Sequence, residues 1–344
     1  MPEPIFNANA PAEVSTMTMT GNGGFAAGSP GSQSIVAKLM ANNYNIESLR
    51  TQDFLPKDAW LSFDNTVIEI TRHRLIGVGD VMSRGLTYNV PNAMGVTRIE
   101  WERMGDMGPA EMNMAGVTEG RNDTLGFDLV GLPLPIVHKD FWINIRKLTA
   151  SRTAGQPLDT TQAEICARKV AERIESMLFL GDTTLGTNNT IYGYANAPNR
   201  ITGSTGTSWN TATGAQILAN VIAMIAAAQA KEMYGPFMFY VSYGAMSNLG
   251  NDFKAESDKT ILQRILEVPG VAGVKSSYYI PANGSTVIAV QLTRDVVDIV
   301  HGFDPTVVQW ESLGGMVQNF KVMAIMIPRV KSTIINQSGI IHFT

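Results

Sequence analysis

The segment GQPLDTTQAEICARKVAERIESMLFLGD, residues 155–182, constrains the fold more than any other part of the chain. Asp159 and Thr161 are both N-cap types, and each is followed three positions on by Gln162 or Glu164, the reciprocal capping-box arrangement. Ala163, Cys166, Val170, Ile174, Met177 and Leu178 then recur every three or four residues. Glu164, Arg168, Lys169, Glu172, Arg173 and Glu175 are read as the opposite, charged side. Glu164 with Arg168, and Arg168 with Glu172, are spaced to pair along that side for about 0.3 kcal/mol each. Gly181 is a natural stop. About 20 residues at roughly 1.5 Å each make a rod of roughly 30 Å, a structural member rather than a site. Cys166 lies on the apolar stripe and reads as a small buried hydrophobe, not a catalytic thiol.

The rest of the composition narrows the class. A chain of 344 residues, 44% of them hydrophobic, can build two or three lobes. One cysteine excludes an internal disulfide. The opening MPEPIFNANAPAEVSTMTM has neither a basic start nor an apolar run, which argues against a secretory signal. The most apolar helix-like run, Ile217 to Ala230, is interrupted by Asn220 and too short for a bilayer core of about 30 Å, so no membrane partner is expected. A net charge of −4 speaks against tight, direct grip on nucleic acid, which needs clustered Lys and Arg.

Along the chain, residues 1 to about 34 are rich in Gly, Ser, Thr, Asn and Pro and read as an arm that cannot fold alone. Short amphipathic patterns follow from Ile35 to Tyr44 and from Lys57 to Arg74. Between Arg84 and Gly131 the period changes to two: VTRIEWERMGD and AEMNMAGVTEG predict strands separated by the turn-prone GDMGPA, a long hairpin projecting from the body. Gly214 to Met233 is apolar almost all round, which predicts a buried helix. GPFMFYVSYGAMSNLG starts as a central-type strand and turns into a helix, DKTILQRILEVPG is amphipathic, and STVIAVQ, VVDIVHG and TVVQW predict three strands. Alternating helices and strands over about 100 residues indicate an α/β lobe, and long strands close the chain.

No residue pattern specifies catalysis, a metal or a cofactor. There is no Gly-Lys-Ser/Thr phosphate loop, no His-Glu-x-x-His and no Cys-x-x-Cys. The four histidines, His73, His138, His301 and His342, are scattered one per element. Gly77 and Gly79 give half of a dinucleotide fingerprint without the third glycine or the preceding strand, and read as structural. Glu100 and Glu102 share one face of a predicted strand, where a carboxylate pair could do acid and base work. With Arg98 and Arg103 beside them, a solvated or intersubunit charged edge is the stronger reading. Trp101, in the same hairpin, is the expected interface anchor. An arm, a hairpin unable to stand alone, a rod and a separate lobe describe a subunit that completes itself through neighbours.

Taken together, GLPLPIVHKDFWINIRKLTASRTAGQPLDTTQAEICARKVAERIESMLFLGD and IYGYAN resemble the tailed-phage major capsid family of the Hong Kong 97-type fold, and especially its encapsulin branch. In that family a strand pair leads into a long spine helix, followed by a Gly-containing turn, here Tyr192 to Asn196. GPFMFYVSYGAMSNL is similar to the opening of the family's axial lobe, LQRILEVPGVAGVKSSYYIP to the segment after it, and INQSGIIHFT to its closing strand. The resemblance covers roughly Lys57 to Thr344.

The resemblance implies an α+β fold with an N-terminal arm at 1–56 and an N-terminal helix region at 57–83. An extended loop at 84–131 would carry intersubunit contacts at Arg98, Glu100, Trp101, Glu102 and Arg103. A peripheral domain at 132–211 and 316–344 would hold the spine helix at about 160–180, with Cys166, Val170, Ile174, Met177 and Leu178 in its core, and an α/β axial domain would span 212–315. It implies a non-enzymatic major capsid protein without cofactor or metal, self-assembling as pentamers and hexamers into an icosahedral shell around the double-stranded DNA of a tailed phage. Partners would be further copies, a portal, weakly contacted packaged DNA, and a scaffold or decoration protein as an open question. Assembly would take place in the bacterial host cytoplasm. The alternatives are an encapsulin-type nanocompartment around cargo enzymes and, far behind, an α/β enzyme. Two departures stand out: no lysine lies between Arg84 and Gly131 to form the isopeptide link of some such capsids, and Gln337 stands where the family usually shows proline.

Overall fold

The computed structural model describes residues 75–105, 126–146, 161–186, 189–254, 258–314, 316–334 and 337–344, with the single positions 67, 112, 114 and 124. The expected arm, the pattern from Ile35 to Tyr44 and nearly all of that from Lys57 to Arg74, His73, Asp159 and most of 106–125 lie outside the described residues; Val67 is helical and fully buried. Two compact units are distinguished. The described part of one comprises Val67 and residues within 138–170 and 305–324, and the other comprises residues within 72–137, 171–304 and 325–344.

The elements run in the order α1 (Ile76–Ser83), β1 (Thr87–Asn89), β2 (Arg98–Met104), β3 (Phe127–Pro133), β4 (Val137–Asn144) and α2 (Thr161–Leu180). Then come β5 (Ile201–Gly203), α3 (Gly214–Gln229), β6 (Phe237–Val241), α4 (Tyr243–Leu249) and α5 (Ile261–Leu266). The chain closes with β7 (Val271–Ser276), β8 (Val287–Gln291), β9 (Val297–Ser312), β10 (Val317–Val330) and β11 (Ile340–Phe343).

The spine helix α2 buries Ala163, Cys166, Val170, Ile174, Met177 and Leu178. Glu175, expected on the charged side, is instead 3% exposed. It follows Ala167 and Ala171 at four-residue steps and so belongs to the inward face; its charge, not its position, suggested otherwise. The helix stops at Gly181, whose φ of +74° suits glycine and whose N–H bonds to the Met177 carbonyl at 3.0 Å. The following turn then folds back. Tyr194 N–H donates to Leu178 O at 2.9 Å and Ala195 N–H to Phe179 O at 2.8 Å, satisfying carbonyls that the helix end leaves open. Gly193 has no room for a side chain there, because a Cβ would lie 2.5 Å from Gly181 N, and its own N–H is held by Asn196 Oδ1 at 2.6 Å. The Gly-x-x-Asn spacing of this turn is therefore the spine's C-terminal cap.

The five-stranded sheet has the order β5-β11-β8-β6-β7. β6 is parallel to β7 and antiparallel to β8; β11 is antiparallel to β8 and parallel to β5. β6 and β8 are buried along their whole length, as an inner strand such as FMFYV requires. Ser242 ends β6 and caps α4, its Oγ accepting Ala245 N–H at 3.3 Å. Thr260 and Gln263 form a capping box on α5, with bonds of 3.1 and 3.2 Å. The core of this lobe joins α3 residues such as Ile217, Val221 and Met224 to Phe237, Phe239 and Ile341. α3 is not buried all round: Ile222 is 52% exposed, and Ala219 and Ala223 are exposed beside it. One side of a helix laid on a sheet stays outward, whatever its residues.

Three further expectations are corrected. VVDIVHG and TVVQW belong to one strand, β9, which is continuous through Pro305. Pairing with β1 ends at Asn89↔His301, so the proline follows where β9 has a strand neighbour on one side only. By strand pairing, β5 and β11, expected in the peripheral domain, join β8, β6 and β7 in the five-stranded sheet, whereas β9, expected in the axial domain, joins the four-stranded sheet β1-β9-β10-β4. β3 and β4 are not a pair, because β3 joins β2 and β4 joins β10. At the other departure, Gln337 donates its backbone N–H to Thr333 Oγ1 at 3.0 Å and its side chain reaches Glu232 at 3.0 Å. Proline could do neither.

Candidate assembly surface

All five residues expected at subunit contacts lie on β2, whose partner among the described residues is β3; apart from Met112 and Met114, the strand expected at 110–120 lies outside them. The antiparallel register runs from Arg98↔Pro133 through Trp101↔Val130 to Met104↔Phe127, and Gly105 N–H continues it to Gly126 O at 2.9 Å. Ile99, Leu132 and Pro133 are buried where the two strands meet the body, which fixes the register of the pair.

The two faces of this ribbon do different things. Outward stand Arg98, Glu100 and Glu102, with Phe127 and Leu129 on β3, each 61% exposed. Arg98 Nε lies 3.4 Å from Glu100 Oε1, and its guanidinium fills the space over Gly131, where a Cβ would come within 2.2 Å. The result is a solvated strip of mixed charge and apolar side chains. Exposed charge pairs of this kind contribute roughly 0–1 kcal/mol to stability.

The inward face fastens the ribbon. Trp101, expected as an exposed anchor, is half-buried, with the Arg329 guanidinium 5.3 Å above its ring and Tyr88 4.6 Å from that same group. Arg329 is bound in turn by Asp298 through Nε–Oδ1 at 2.7 Å and Nη2–Oδ2 at 2.5 Å, and Lys331 Nζ joins Asp298 at 2.7 Å. Arg103 pairs with Asp128 across the ribbon and donates to Ser332 Oγ at 3.4 Å, an oxygen that Asn199 also reaches at 2.8 Å. Of the five residues, Arg98, Glu100 and Glu102 stand on the exposed face, whereas Trp101 and Arg103 hold the ribbon root.

Each of the three described histidines has its own polar neighbour. His138 meets Asp140 at 3.2 Å, His301 meets Asp304 at 3.1 Å, and His342 Nδ1 accepts from Arg200 at 3.2 Å. Among the described residues, no three His, Cys, Asp or Glu side chains gather as a metal site, and no helix is long and apolar enough to cross a membrane. Burial pushes the Cys166 thiol above its ordinary range; Lys139 opposes that rise and Asp140 adds to it.

A buried polar group escaped the sequence reading. Glu175 accepts the N–H of Gly77 at 2.6 Å and of Val78 at 3.2 Å, so its carboxylate sits at the N-terminus of α1. Gly77 permits this approach, since a Cβ would meet Leu178 and Phe179 at 2.9 Å. One turn on, Asp80 pairs with Lys275 and accepts the Tyr240 hydroxyl at 3.1 Å. Phe179 packs edge-on to Tyr194 and Tyr240 at 5.6 and 5.2 Å. The available signal was Glu175's place on the inward face.

Comparison with known proteins fits this architecture. The chain is 23% identical over 283 residues, 80% of its length and 90% of the relative's, to the type 1 encapsulin shell protein EncA of Myxococcus xanthus (strain DK1622). Its structure is similar to that of a virus-like particle from Pyrococcus furiosus, with TM-score 0.58 and 17% identity, covering 83% of this chain and 99% of that one. It is also similar to the capsid of Myoviridae phage XM1, with TM-score 0.57 and 13% identity, covering 77% and 91%. A mixed helix-and-sheet body with a capped spine and a rooted hairpin is thus the Hong Kong 97-type fold, and a family model matching residues 48–343 makes the chain a member of DUF6260, a family of unknown function.

Proposed function

We propose that this protein is a structural shell subunit, the major capsid protein of a tailed phage, assembling from many copies into an icosahedral container for double-stranded DNA. The observation that carries the reading is the fold likeness extending over 99% of the Pyrococcus furiosus particle chain and 91% of the phage XM1 capsid chain. The ribbon is consistent with it: the root is fixed by Trp101–Arg329 and Arg103–Ser332, while Arg98, Glu100, Glu102, Phe127 and Leu129 face outward for a neighbouring copy. The role is mechanical, without catalysis or cofactor.

The Gly-rich first 34 residues favour a phage head, in which an arm laid along neighbours helps resist packaged DNA, and a net charge of −4 suits a wall that confines DNA without gripping it. A portal belongs to that reading, with assembly in the host cytoplasm. The likeness to EncA supports a second reading, a nanocompartment enclosing cargo. Electron microscopy of the full chain expressed alone, with the 260/280 nm absorbance ratio of the same fractions, separates them. Closed shells support the shell reading, and their diameter and nucleic-acid content distinguish head from compartment. A monomer that no scaffold or portal partner converts into shells would overturn both.

A further inference from the structure

The carboxyl group of Glu175 has unusual surroundings. It is buried at the contact of α1 with the spine, it accepts two backbone N–H groups of α1, and no cation among the described residues pairs with it. The groups around it are Asp80 on α1, Tyr194 in the spine cap, Tyr240 on β6 and Lys275 on β7, whose charge is already taken by Asp80. On the spine itself, Arg173 pairs with Asp182, and the Glu172 carbonyl accepts the Tyr279 hydroxyl at 2.6 Å. Ionised Glu175 is therefore a buried anion near a second carboxylate, held only by N–H dipoles.

We propose that Glu175 is a proton-dependent latch: protonated, it holds α1 against the spine, and its ionisation loosens that contact. At the protonated carboxyl, one oxygen keeps the shorter bond from Gly77, and the longer bond from Val78 is the one given up. Burial pushes the carboxyl up to about 7, against the N–H groups of Gly77, Val78 and, more weakly, Ile76, which lower it, and with Asp80 raising it further. An undocked Glu175 would titrate near 4.5. The docked form binds the proton more tightly, so docking is fully favoured below 4.5, weakens as pH rises, and has lost this contribution above about 7.

Hydrogen exchange of the full chain, in the assembly state in which it purifies, tests this on peptides covering residues 75–83. After correction for intrinsic rates, protection in the wild type should fall about 40-fold between pH 5 and pH 7 and level off above, as linkage between the two titrations requires. Glu175→Gln should remove that slope. Protection that is flat or rises with pH, or a slope that persists in Glu175→Gln, overturns the latch. Infrared titration of the wild type does not depend on the variant folding: a carboxylic-acid carbonyl band should disappear with a midpoint near 7, and its absence overturns the proposal.

Discussion

Arg329 and Asp298 form a two-pronged ion pair, Nε–Oδ1 at 2.7 Å and Nη2–Oδ2 at 2.5 Å, with both side chains less than a tenth exposed. The pair lies under Tyr88 and Trp101, so the charge that roots the ribbon is itself pinned. Asp298→Ala leaves Arg329 and Lys331 without their anion and should destabilise the chain by about 3–5 kcal/mol. The double change Asp298→Leu with Arg329→Met should be milder than the single one. Chemical denaturation of the three proteins checks the order.

Gly193→Ala puts a Cβ against Gly181 N and the carbonyls of Met177 and Leu178, and should cost about 1–3 kcal/mol by overpacking. Asn196→Ala removes only the bond to Gly193 N–H and should cost about 1 kcal/mol. Denaturant midpoints of the two variants, at equal slope, measure both.

Cys166 should be unreactive in the folded protein. Its side chain is buried and burial pushes its thiol up, so the thiolate is scarce as well as covered. Alkylation followed by mass spectrometry should find modification only after denaturant is added; rapid labelling under native conditions would show that the inward face of the spine opens.

Asp182 gives the spine end a different dependence on acid. Burial raises its carboxyl, but the backbone and hydroxyl bonds from Thr184 and the Arg173 charge outweigh that and hold it below 3.8. A depressed carboxyl contributes stability above its unfolded pKa and loses it as pH falls through the folded one. Stability against pH should therefore drop more steeply below 3.8 in the wild type than in Asp182→Asn.

Residues 84–131 contain no lysine, so a shell of this chain should lack isopeptide links from that loop. Boiled particles on a denaturing gel should run as a single subunit band; a ladder of linked subunits would refute this.

Local chemistry made several elements legible from sequence. The periodicity of α2, its stop at Gly181, the change from strand to helix within GPFMFYVSYGAMSNLG, and the apolar run FMFYV all rest on preferences that act within a few residues of one another. The Gly193 turn was legible only as a likeness, and the structure supplied its reason, since the N–H groups it offers end the spine.

What only the tertiary structure decided depends on residues far apart in the chain. Glu175 looks like a solvated charge until α1, 98 residues earlier at Gly77, brings its N–H groups to meet it. Trp101 looks like an exposed anchor until Arg329 covers it. The partner of β2 is β3 across a long connection, and β11 crosses to the sheet of β6 and β8. By itself the sequence determined where helices start, stop and turn their apolar faces, because those preferences act over one or two turns of chain. Which strand pairs with which, and which charges are buried, is settled by long-range hydrogen bonding and burial, energies that exist only once distant segments have met.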